Sequence, residues 1–114
     1  MIVGVCRITL LVPESHSLKE RRMVLRSIKD KVRNKFNVAI AEVSEGVYAD
    51  SWQSAQLGFA VVANEKGFTQ SVVQKILDYI DALGVAKLAD DEQDYLVYGD
   101  ARAGESVATW EPEE

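Results

Sequence analysis

"IVGVCRITLLVPESHSLKERR", residues 2–22, changes its character in mid-course, and that change decides the fold. Residues 2–12 are rich in β-branched and aliphatic side chains and end at Pro13, which lacks a backbone donor and closes a strand. Four residues later Ser17 and Glu20 stand at capping-box spacing. The hydroxyl of Ser17 is placed to accept the amide of Glu20, and the Glu20 carboxylate to reach back to the amide of Ser17. A helix therefore starts there. Leu18, Leu25, Ile28 and Val32 recur at helical spacing as its buried stripe, with Val24 at the edge, until the stretch from Asn34 to Asn37 ends the pattern.

Working outward, "NVAIAEVS" (37–44) reads as a second strand and "AQLGFAVVA" (55–63) as a third, joined by a loop or hairpin connection through "EGVYADSWQS". A second helix fits 68–83, with Val72, Val73, Ile76, Leu77, Ile80 and Leu83 on one side and Gly84 as its stop. "VAKLA" and "YLVYG" supply a fourth strand, either continuous or as two short pieces around the acidic "DDEQD". The order β-α-β-β-α-β predicts an α+β, ferredoxin-like sandwich: a four-stranded antiparallel sheet with two helices on one face.

The other face of that sheet is unusually apolar. If Cys6, Ile8 and Leu10 point to the helices, then Val3, Val5, Arg7, Thr9 and Leu11 point away. The third strand likewise offers Leu57, Phe59 and Val61 on one side and Ala60 and Val62 on the other. A fully solvated face reads more polar than this, so the sequence predicts a cover, and a second copy of the chain is the simplest one.

With 114 residues, 47% of them hydrophobic and 27% charged, the composition is that of a globular protein and suggests neither disorder nor a fibre for the chain as a whole. Cys6 stands alone, so no intramolecular disulfide can form and a reducing compartment is the simpler reading. The apolar run 2–12 is interrupted by Arg7 and Thr9 and is too short to cross a bilayer, which leads to the expectation of a cytoplasmic protein with no membrane partner. The net charge of −5 conceals a separation: residues 19–35 carry eight basic and two acidic side chains. From Asp90 to Glu114 nine acids face Arg102 alone. The division expected is a domain over 1–99 and an acidic, disordered tail over 100–114.

On a helix over 18–36, Lys19, Arg22, Arg26, Lys29 and Arg33 align beside the apolar stripe with no acid in the row, spanning about 21 Å. Like charges at i, i+4 repel by a few tenths of a kcal/mol, so a helix serving structure alone gains by alternating its signs. Two readings compete: a solvated face whose stems cover the core edge or which pairs with the acidic remainder of the same protein, and a footprint for nucleic-acid phosphates. Met23, on the outward side, adds nothing to either.

"LGFAVV" approaches the core of an RNA-recognition motif with Phe59 in its first stacking position, but Val61 replaces the second aromatic and the first strand has none, so Phe59 is assigned to the core or a dimer contact. His16, the only histidine, flanks the helix start in "ESHSLK", where capping explains Ser17 and Glu20 without a substrate. Asp90, Glu92 and Asp94 share a face if extended, yet no calcium-loop spacing follows. No zinc spacing, glycine-rich phosphate loop or dinucleotide fingerprint occurs, and no cofactor, metal, catalytic residue or small-molecule substrate is assigned. Trp52 is expected to anchor its loop against the core. Trp110 is read as the apolar anchor of a tail that folds back on the basic row of the same or a neighbouring molecule and competes with nucleic acid.

"VGVCRITLLVPESHSLKERRMVLRSIKDKVRNKFNVAIAEV", then "DSWQSAQLGFAVVANE", then a helix, resembles the YlxP-like family of small bacterial proteins, over about residues 1–98. The resemblance implies a ferredoxin-like fold. It also implies a link to RNA or the ribosome, because the genes often lie beside those for translation factors such as ribosome-binding factor A. It assigns no activity and no site residues, and it does not cover residues 99–114. The first expectation is thus a non-catalytic RNA- or ribosome-associated module acting through the basic row as a homodimer. An interaction subunit whose basic helix meets an acidic protein comes second, and an enzyme with an anion site at "ESHSLK" third.

Overall fold

The computed structural model describes residues 1–99. Its elements are β1 (Ile2–Leu11), α1 (Leu18–Lys35), β2 (Ala39–Glu42), a 3-10 turn (Gly46–Tyr48), β3 (Ser54–Ala63), α2 (Lys66–Leu83) and β4 (Lys87–Val97). The sheet order is β2-β3-β1-β4 with every neighbouring pair antiparallel, the ferredoxin-like plan. The proposed tail over 100–114, with Trp110, lies outside the described residues.

Alternation sets which face is covered. Cys6, Ile8 and Leu10 of β1 pair with Phe59, Leu57 and Ala55 of β3, and all six are buried with Leu25, Ile28 and Val32 of α1 and Val73, Ile76 and Ile80 of α2. Phe59 is therefore a core residue. Gly4 marks the closest helix approach: a Cβ there would lie 2.8 Å from Thr69 Cγ2 and 2.9 Å from Tyr95 Cε1. The absence of that carbon lets the first turn of α2 rest on β1.

Local signals place the ends of the helices. Glu20 N–H donates to Ser17 Oγ at 3.1 Å, half of the expected capping box. The other half differs: the Glu20 carboxylate accepts the amide of His16, at 2.6 Å, one residue before the position expected. Ser15, buried, donates its hydroxyl to the Ser17 carbonyl and tightens the turn so that the His16 amide is the one within reach. α2 begins two residues before the expected start, and Gly84 terminates it in the left-handed conformation at φ 71°.

β2 and the Trp52 loop depart from expectation, and the fourth strand takes one of its two expected forms. β2 is shorter than 37–44 because the chain turns at Phe36–Val38, where Val38 N–H donates to the Phe36 carbonyl. The fourth strand is continuous through the acidic segment, with a bulge at the Thr9–Leu10 level of β1. As an edge strand, β4 keeps its carboxylates hydrated. Trp52 is 56% exposed rather than anchored on the core. That loop is tied down instead by Gln53, whose side-chain amide donates to the carbonyls of Pro13 and Ser15, and by an arginine described below. Among the described residues no helix is long and apolar enough to cross a membrane.

Candidate nucleic-acid interface

α1 has two flanks above its buried stripe. Toward α2, Lys35 lies over the ring of Tyr79, 5.4 Å from its centroid, and Phe36 packs edge-on against the same ring. Toward the sheet edge, Arg33 Nη2 donates to the Ile40 carbonyl of β2 at 2.8 Å. The row Lys19, Arg22, Arg26, Lys29 and Arg33 runs along this second flank, beside an edge strand only four residues long.

The five cations are not equivalent. Arg33 is tied to the Ile40 carbonyl and to Asp30 Oδ1 at 3.5 Å. The row itself holds no acid, but Asp30 stands one residue beside it at i−3 from Arg33 and reaches across. Lys19, Arg22, Arg26 and Lys29 have no ion-pair partner among the described residues. Lys29 is half-buried along its stem, and the other three are exposed.

Arg21 is the functional-looking residue that the sequence reading missed. It lies in the same basic run but only 3% exposed. Its guanidinium donates to the carbonyls of Ser54 and Tyr48 and to the Glu42 carboxylate, all at 2.8 Å, and to Ser44 Oγ at 3.2 Å. One side chain thus fastens α1 to β2, the 3-10 turn and the start of β3. The signal was present: positions 18, 21, 25, 28 and 32 are spaced three, four, three and four apart, so Arg21 occupies a place in the buried stripe.

The charge separation seen in the sequence is also spatial. Asp90, Glu92 and Asp94 of β4 pair with Thr9, Arg7 and Val5 of β1, so they share the face away from the helices on the edge opposite β2. Glu92 accepts from Arg7 Nε at 2.7 Å, and this contact raises the guanidinium pKa above its ordinary value. Among the described residues no group of three or more His, Cys, Asp or Glu side chains is placed to hold a metal ion.

At the start of α1, the amides of His16 and Glu20 are taken by the helix's own Glu20 and Ser17. Burial, with Asp91 nearby, pushes the Cys6 thiol up to about 12 and keeps it protonated at neutral pH. Tyr95 is also raised, first by burial and then by Cys6 and Asp91.

The family model described as "Protein of unknown function (DUF503)" matches residues 3–93. The chain belongs to this family. "Uncharacterized protein YlxP" of Bacillus subtilis (strain 168) is 36% identical over 81 residues, 71% of this chain and 85% of the relative. The YlxP-like resemblance read from "PESHSLKERR" and "DSWQ" thus holds at the level of the family. Among solved structures, the de novo designed protein Foldit4 aligns over 87% of this chain and 100% of its own, with a TM-score of 0.48 and 15% identity.

Proposed function

We propose that this YlxP-like protein is a non-catalytic, cytoplasmic RNA- or ribosome-associated module that grips phosphate backbone with the outer flank of α1 and works as a homodimer. One observation carries the reading. Lys19, Arg22, Arg26 and Lys29 stand on one flank with no described carboxylate paired to them, although the chain is rich in acids. The acids of β4 lie on the sheet edge opposite β2, three strand spacings or about 14 Å from the strand beside which this flank runs, beyond a Debye length of about 8 Å at physiological salt. Intramolecular neutralisation is weak at that distance, whereas a polyanion laid along the flank meets four cations at once. The translation-linked gene neighbourhood implied by the resemblance points the same way. Contacts of this kind follow charge and shape more than base sequence.

Fluorescence anisotropy of a labelled single-stranded RNA across a salt series tests the reading. Four phosphates engaged predict a log–log slope of about −2.8, and each of Lys19→Ala, Arg22→Ala, Arg26→Ala and Lys29→Ala reduces it by about 0.7. Arg33→Ala changes it less, because that guanidinium already serves Ile40 and Asp30. A slope near zero removes the proposal. Co-sedimentation with ribosomal subunits at two salt concentrations then separates ribosome association from binding of free RNA.

A further inference from the structure

We infer that the open face of the sheet binds a second copy of the same face, with the two-fold axis running parallel to the strands between β3 and β1. This deepens the homodimer part of the function proposed above by naming the surface and its register.

The face is built in level rows across the sheet. Ala39, Ala60, Val5 and Asp94 form one row, and Ala41, Gly58, Arg7 and Glu92 form the next. Each row runs from small side chains on β2 and β3 to large or charged ones on β1 and β4. Their small half floors an open hollow of about 700 Å³ that reaches across all four strands, walled by Val5, Arg7 and Val43 and, on the β4 side, by Glu92 and Asp94. Val43 leans over Gly58, where a Cβ would lie 3.3 Å from Val43 Cγ1. Val62 and Leu96 project from the same face, 62% and 52% exposed.

Such a surface complements itself in one orientation. Rotation about an axis parallel to the strands lays β1 over the partner's β3 and β4 over the partner's β2. Ala60 then meets the partner's Val5, Gly58 the partner's Arg7, Ala39 the partner's Asp94 and Ala41 the partner's Glu92. Large side chains enter the hollow floored by small ones. The carboxylates, all on an edge strand, stay at the wet rim, where interfaces carry their charge. Rotation about an axis across the strands instead stacks Asp90, Glu92 and Asp94 on their own copies and leaves small residues facing small ones. Shape and charge select the same axis. The face measures about 600 Å² in projection, from strands about 4.8 Å apart and about 3.4 Å per residue. Corrugated by its side chains, it falls in the class of interfaces that bury about 800 Å² per partner. Both basic flanks remain outside the contact, one at each β2 edge.

Sedimentation equilibrium on the full chain tests the surface, and one pair of variants tests the register. Wild type is expected to associate reversibly to a dimer at micromolar concentrations. Ala41→Glu places a carboxylate opposite the partner's Glu92 and weakens association by about tenfold or more. Ala41→Lys offers that same carboxylate a cation and keeps association within about threefold of wild type. Ala41 is exposed, so both variants retain the fold, checked by unchanged far-UV circular dichroism. A wild type that stays monomeric throughout overturns the inference, and equal weakening by Glu and Lys overturns the register. The salt series reads the RNA function separately: a monomer with a slope near −2.8 removes the dimer and leaves the phosphate reading intact.

Discussion

Replacing Arg21 by alanine separates the structural arginine from the proposed phosphate contacts beside it. The side chain is 3% exposed and donates to four acceptors, two of them main-chain carbonyls. Breaking a buried ion pair by removing one partner costs about 3–5 kcal/mol. Glu42 is 31% exposed and partly rehydrates once released, which lowers the expected loss to about 2–4 kcal/mol. For a domain of this size that corresponds to about 10–25 °C in melting temperature. Arg21→Lys recovers only part, because a point-like ammonium cannot span acceptors that a planar guanidinium fork reaches together. Arg22→Ala, one position away and exposed, stays within about 0.5 kcal/mol of wild type. Urea unfolding by linear extrapolation measures all three, and anisotropy below the melting range of the weakest variant measures RNA binding. Arg21→Ala should leave the salt slope unchanged, while Arg22→Ala lowers it by about 0.7. A loss under about 1 kcal/mol for Arg21→Ala, or a slope that falls with it as with Arg22→Ala, refutes the division of roles.

Other perturbations test the frame that holds this flank. Gly84→Ala forces an alanine to φ 71° and costs about 1 kcal/mol in urea unfolding, as does Ser17→Ala by removing the cap on the Glu20 amide. Gly4→Ala drives a methyl against Thr69 Cγ2 and Tyr95 and costs about 1–3 kcal/mol, part of which Thr69→Ser, lacking that methyl, restores in the double variant. Because folding raises the Cys6 pKa from about 9 to about 12, its contribution is complete below pH 9 and is lost as pH rises through that window. Cys6→Val should therefore lose less stability than wild type between pH 8 and about pH 10.5, read from paired urea titrations.

The sequence by itself determined the order of elements, the buried stripe of α1, the covered and open faces of the sheet and the glycine stop of α2. Each of these depends on neighbours one to four residues away, the range over which strand and helix periodicities operate. What only the tertiary structure decided depends on distant chain segments. Adjacent Arg21 and Arg22 look alike in the sequence, yet 100° of helical rotation aims the first at Ser54, 33 residues away, and leaves the second in water. Arg33 joins the row by spacing, but the Ile40 carbonyl at the edge of β2 claims it. Trp52 looks like a core anchor until Gln53 and Arg21 fasten its loop and leave the indole outside. The acidic segment of β4 reads either as a break or as a continuation, and pairing with β1 on one side and water on the other keep it extended. A side chain's partner is chosen by which segments the fold brings within about 3 Å, and local pattern carries no record of that choice.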